Sequence, residues 1–137
     1  MHIKGKQLEN TYIFENGTVY FYNDLIIGEI KEGAHVSAKT LLSFFDFFNE
    51  NYKIPFGYIS HRKNSYSIDP QFYKMLPKNN LLKGIAIVSN DKFSSLNAHV
   101  EKKFFNGHFE LFTTIDVAVN WLDKIIPLEN KEVAVTT

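Results

Sequence analysis

"GIAIVSNDKFSSLNAHVEKKFFNGHFELFT", residues 84–113, holds an apolar run, an amphipathic segment and a second β-rich run in succession. Its opening, GIAIVS at 84–89, is short and apolar throughout, as a strand covered on both faces of a parallel sheet must be. Asp91 then starts a helix, with Phe93, Leu96, Val100 and Phe104 recurring at steps of three and four on one expected apolar face. Gly107 supplies a turn, and HFELFT at 108–113 predicts the next strand. Strand, helix and strand in this order imply parallel neighbours joined by a right-handed crossover.

The same alternation extends outward. Thr114 caps a closing helix with Ile115, Ala118, Val119, Leu122, Ile125 and Ile126 inward, and a flexible polar tail is expected from about 127. Upstream, IPFGYISH at 54–61 reads as a buried strand. SAKTLLSFFDFFNENY at 37–52 reads as a helix capped by Ser37, with Leu41, Phe45, Phe48 and Tyr52 at the helical period. At the start of the chain, TYIFENGTVYFY at 11–22 places Asn-Gly between two β-rich runs, a hairpin signal with strands at about 11–15 and 18–22. DLIIGEI at 24–30 adds a third strand, and KEGAHVS breaks the pattern before the helix. The expectation is an α/β fold: a mixed β-sheet with an N-terminal β-meander followed by alternating helices and strands, βββαβαβαβα, in one domain spanning 1–137.

Thirteen Phe, seven Tyr and one Trp supply bulky packing material, or a surplus for a binding surface. Net charge is zero and Arg62 is the single arginine, so the basic footprint of a nucleic-acid binder is missing. With no cysteine there is no disulfide, thiolate metal site or thiol nucleophile. The five histidines show no pair at ligand spacing, and no metal or other cofactor is expected. No nucleophile elbow or phosphate-binding glycine loop is present, so no catalytic residue is assigned. The opening residues lack the apolar segment of a signal peptide, and no run is long enough to span a bilayer, which makes a cytoplasmic location the expectation.

The run KKFFNGHFELFTTIDVAVNWL at 102–122 carries a base-flanked aromatic pair, a glycine turn, a short strand, and a helix bearing Trp-Leu. It resembles the closing segment of the STAS-like, or SpoIIAA-like, family. That family is related in fold to the anti-sigma-factor antagonists, and its bacterial members share a classification with CRAL-TRIO lipid-transfer proteins. The resemblance implies a STAS-like fold and a non-enzymatic role, in bacterial signalling or protein interaction. In the antagonists, a loop after a central strand holds a phosphorylatable serine in an Asp-Ser-Ser-Gly context. The matching loop here, 63–69, offers Ser65 and Ser67 but lacks that motif.

Two candidate sites follow. In NSYSIDPQFYKML at 64–76, Asp69 is expected to cap a short helix over 70–76, with Pro70 presetting its first φ. Ser65, Tyr66 and Ser67 read as turn residues around a tyrosine. Alternatively Arg62 and Lys63 make them a switch or anion loop, by pairing with a phosphate. The second site is on the first helix. At about 100° per residue Leu41, Phe44, Phe45, Phe48 and Tyr52 share one side, whereas Phe47 falls among Lys39, Ser43 and Glu50. Phe44 and Phe47 are therefore expected to form a partner surface, for another protein or for a homodimer. Val117 and Trp121 make a second small apolar surface, expected to be covered. The competing function is a carrier of a lipid or other apolar ligand, which requires a cavity lined by the aromatics.

Overall fold

In the computed structural model, which describes residues 3–63, 67–76 and 81–136, β1 (Leu8–Phe14), β2 (Gly17–Tyr22) and β3 (Leu25–Ile30) form an antiparallel meander. The chain then breaks through β4 (His35–Val36) and enters α1 (Ala38–Asn51), where Ser37 Oγ accepts from the Thr40 N–H. β5 (Phe56–His61), β6 (Ser67–Ile68), α2 (Gln71–Lys74), β7 (Leu82–Val88), α3 (Lys92–Lys102), β8 (His108–Phe112) and α4 (Ile115–Thr136) follow. The main sheet has the order β1-β2-β3-β5-β7-β8, with β3, β5, β7 and β8 parallel. This is an α/β fold with a mixed six-stranded sheet and four helices.

The strand order explains where the helices lie. Every crossover from β3 onward steps the same way across the sheet, so right-handed connections place α1, α2 and α3 on one face. Phe45 and Phe48 of α1, Phe72 and Tyr73 of α2, and Ala98 of α3 accordingly share one core with Phe21, Ile26, Ile85 and Ile87. The next residues along the strands, Tyr22, Leu25, Ile27, Ala86 and Val88, point to the other face and meet Ala118, Val119, Leu122 and Ile126 of α4. Glycines let α4 come close: a Cβ on Gly57 or Gly84 would stand 2.9 Å from Leu122 Cδ2.

Five expectations are corrected. β4 and β6, unforeseen, pair in a two-residue parallel ladder. The hairpin turns at Glu15 and Asn16, because Phe14 pairs with Gly17, and neither turn residue has a positive φ. Gly17 is needed instead for close approach, since a Cβ there would collide with the Glu29 carbonyl of β3. α2 is a four-residue turn of helix rather than one spanning 70–76. Leu96 and Val100 of α3 are exposed, and the helix buries Ala98 and Glu101 in their place. Finally, α4 does not end near 127 but continues as backbone helix through Pro127 to Thr136.

Candidate functional site

The loop after β5 was read from its charges, and its geometry reassigns them. Arg62 follows an apolar strand directly, so its side chain is carried inward and left only 3% exposed. A buried guanidinium needs a carboxylate, and α3 provides one. Arg62 Nη1 and Nη2 donate to the two Glu101 oxygens at 2.6 Å each, and Nε donates to Ser60 Oγ at 3.0 Å. The Tyr73 hydroxyl of α2 donates to Glu101 Oε1 at 2.6 Å. Burial, and then the Glu101 charge, push the Tyr73 phenol well above its usual range, with Arg62 opposing. The anion role expected of Arg62 is thus withdrawn: its fork is turned into the core and occupied by Glu101. The cluster ties β5, α2 and α3 together.

Lys63 is exposed and lies 3.6 Å from Glu29 Oε1, the oxygen that also meets His61 Nδ1 at 3.2 Å. Ser65 falls outside the described residues, and Ser67 is described only as backbone in β6. The structure therefore brings together Lys63, His61 and Glu29, and leaves Arg62 apart from them. Asp69 Oδ1 accepts from the Gln71 N–H at 3.0 Å, while the residue in the cap position is Pro70, which has no side-chain bond to offer.

The second site lies where α1 crosses the meander. Phe45 and Phe48 are buried, and Phe44 is partly buried, with its ring 4.6 Å from Phe14 and 5.9 Å from Tyr12. Phe47 is 46% exposed, although its ring still meets Phe21 edge-on at 5.9 Å. It marks the boundary of the buried stripe rather than the middle of the polar side. Tyr12, Phe21, Thr40, Ser43, Phe44 and Phe47 line an open cleft of about 370 Å³. Beside it β1 is exposed along nearly its whole length, with Ile13 at 77%. Trp121 is covered by Phe112, ring centroids 5.3 Å apart, whereas Val117 stays exposed.

Two features were missed by reading the sequence. A lone arginine after an apolar strand signals a buried carboxylate, but its partner lies 39 residues away on a helix judged by its apolar spacing. Tyr12 and Ile13 were read as strand residues, and nothing local says that their strand lies at the sheet edge.

Among the described residues no group of three His, Asp or Glu could hold a metal ion, and no helix is long and apolar enough to cross a membrane. Another open cleft, of about 450 Å³, lies at the carboxyl ends of β7 and β8. Its polar lining is partly turned on itself, as Ser89 Oγ accepts from the Asp91 N–H at 3.0 Å. No protein-family model and no curated protein matches the chain.

Proposed function

We infer that the chain is a non-enzymatic STAS-like module that binds a protein, another one or a second copy of itself, through the face made by α1 and β1. The observation that carries the reading is where the aromatic material sits. Among the described residues, an enclosed void of the α1-side core measures only about 20 Å³, between Phe45, Tyr58, Phe72 and Tyr73 among others, while Ile13 is largely exposed and Tyr12 and Phe47 about half exposed. Enclosed ligand sites run from about 300 Å³ upward. The resemblance of 102–122 to STAS-like proteins adds the same expectation, with bacterial, cytoplasmic signalling as the implied setting.

Leu96 and Val100 of α3 are also exposed, beside the opposite edge strand β8, but neither lines the cleft there, whose rim is the polar Asn90, Asp91, Lys92 and Ser95 as well as Leu111 and Phe112. A second reading, an apolar small-molecule binder, is favoured by the cleft between Tyr12 and Phe47, whose 370 Å³ reaches the size of small-ligand sites. Mass spectrometry of the protein purified from its native source, covering both protein and organic extract, separates the two. A protein or self-association partner near stoichiometry, with no apolar molecule, is the expected result. A lipid or other apolar compound recovered near stoichiometry would overturn it.

A further inference from the structure

Resting on that reading of the α1–β1 face, we propose that its occupant is a second copy of this chain, joined by antiparallel pairing of the two β1 strands about Thr11. The two sheets then become one. β1 bonds to β2 on one side and ends the sheet on the other. The Thr11 N–H is donated to the Asn10 side chain, Oδ1 at 2.8 Å, and so points away from β2. Antiparallel alternation then turns the backbone groups of Thr11 and Ile13 outward, and the exposed Asn10 side chain that holds the Thr11 N–H in the single chain gives it up to the incoming strand.

Natural edge strands are defended by lysine, proline or bulges. Leu8–Phe14 holds no lysine, arginine or proline, and its one irregularity lies between Leu8 and Asn10, at the start of the strand.

Charge and strand length together select the register: axes at Asn10 and Ile13 also oppose no like charges, but only an axis at Thr11 overlaps the whole of Leu8–Phe14 with its copy. A two-fold axis perpendicular to the sheet keeps each residue on its own face, so the axis must fall on a residue. An axis at Glu9 sets the two Glu9 side chains against each other, and one at Tyr12 sets Glu9 against Glu15 twice. At Thr11, the midpoint of the strand, Glu9 meets Ile13 and Glu15 meets Gln7, with no like charges opposed. Zero net charge removes long-range repulsion between copies. On the α1 face Tyr12 then lies opposite Asn10 of the other copy, extending the aromatic cleft. On the α4 face the two Thr11 meet, and each Ile13, 77% exposed in the single chain, lies diagonally from the other Thr11.

Sedimentation of the whole chain over a concentration series tests this, alongside Thr11→Lys and Thr11→Cys. The wild type should dimerise. Thr11→Lys opposes two cations at the axis and should weaken the dimer at least tenfold, with the thermal midpoint of the fold unchanged. The chain has no other cysteine, and opposed residues in a hydrogen-bonded antiparallel pair have Cα atoms about 5.5 Å apart, within disulfide reach. Oxidised Thr11→Cys should therefore run as a covalent dimer, and Val117→Cys on exposed α4 should not. The crosslink decides the matter even if Thr11→Lys fails to fold. A dimer indifferent to Thr11→Lys, with no Thr11→Cys crosslink, would overturn the proposal. A wild type that is monomeric throughout would also overturn it. If that monomer still captures a partner in a Phe47-dependent way, the interaction reading survives and a foreign chain occupies the face. If it captures none, both fall.

Discussion

Two regions of the molecule treat polar and apolar groups in opposite ways. At the carboxyl ends of β5 and β7 the molecule buries Arg62, Glu101, Ser60 and Tyr73. At the β1 edge it leaves Tyr12, Ile13 and Phe47 in water. The first arrangement is stable because every charge has a partner at hydrogen-bond distance, which offsets the loss of hydration. The second is stable because exposed apolar area costs the folded chain little when the unfolded chain exposes it too. Polarity alone therefore does not mark a candidate surface: Arg62 and Glu101 are bound to each other in the core, and apolar and aromatic side chains are left exposed at the β1 edge.

The largest effects should come from breaking the buried cluster. Glu101→Ala strands the Arg62 guanidinium and should cost about 3–5 kcal/mol in chemical denaturation. The double change Arg62→Met with Glu101→Leu should recover much of that loss. If it is no more stable than Glu101→Ala, pairing is not what makes the cluster tolerable. Phe48→Ala, at a residue 1% exposed, should likewise cost about 3–5 kcal/mol, against under about 0.5 kcal/mol for Phe47→Ser one residue earlier. Equal losses at the two positions would erase the boundary drawn between them.

Tyr73→Phe should cost about 1.5–3 kcal/mol by removing a hydrogen bond to a charged group. It should also change the response to alkali. The folded Tyr73 phenol titrates above its unfolded value of about 10, so its contribution is whole below that pH and is lost as the pH rises toward the folded value. Denaturation midpoints followed upward from about pH 9 should fall for the wild type and fall less steeply for Tyr73→Phe. Tyr52, also raised by burial, supplies part of the remaining slope. The smallest effect belongs to Asp69→Ala, about 0.5–1 kcal/mol for one N–H acceptor on a four-residue helix. An unshifted midpoint there would mean that the Gln71 N–H is served equally well by water.

The sequence was most legible where one local pattern had one physical solution. The apolar run at 84–89 lies in a strand buried on both faces, and the helix begun by Ser37 buries Phe45 and Phe48 as its spacing requires. It was misleading where a long-range partner reversed the local preference. On α3, Glu101 is drawn inward by Arg62, and a helix with one carboxylate turned to the core must turn Leu96 and Val100 out. Gly17 was misread for the same reason, because the atom that forbids a side chain there belongs to Glu29, across the sheet. Of the candidate sites, helical spacing set Phe47 apart from the buried stripe, and it stands at the edge of that stripe with Phe44 partly buried beside it. The exposed strand beside them was not anticipated, since edge or centre is a property of strand order.

Binding and stability measured together on Phe47→Ser test the partner surface most directly. Removing a well-buried interface Phe commonly costs about 2 kcal/mol or more of binding. The expected result is a fold with an unchanged thermal midpoint whose self-association or partner capture is at least about tenfold weaker, while Leu96→Ser on α3 binds as the wild type does. A Phe47→Ser protein that folds normally and associates as tightly as the wild type would contradict the assignment of α1 and β1 as the binding face.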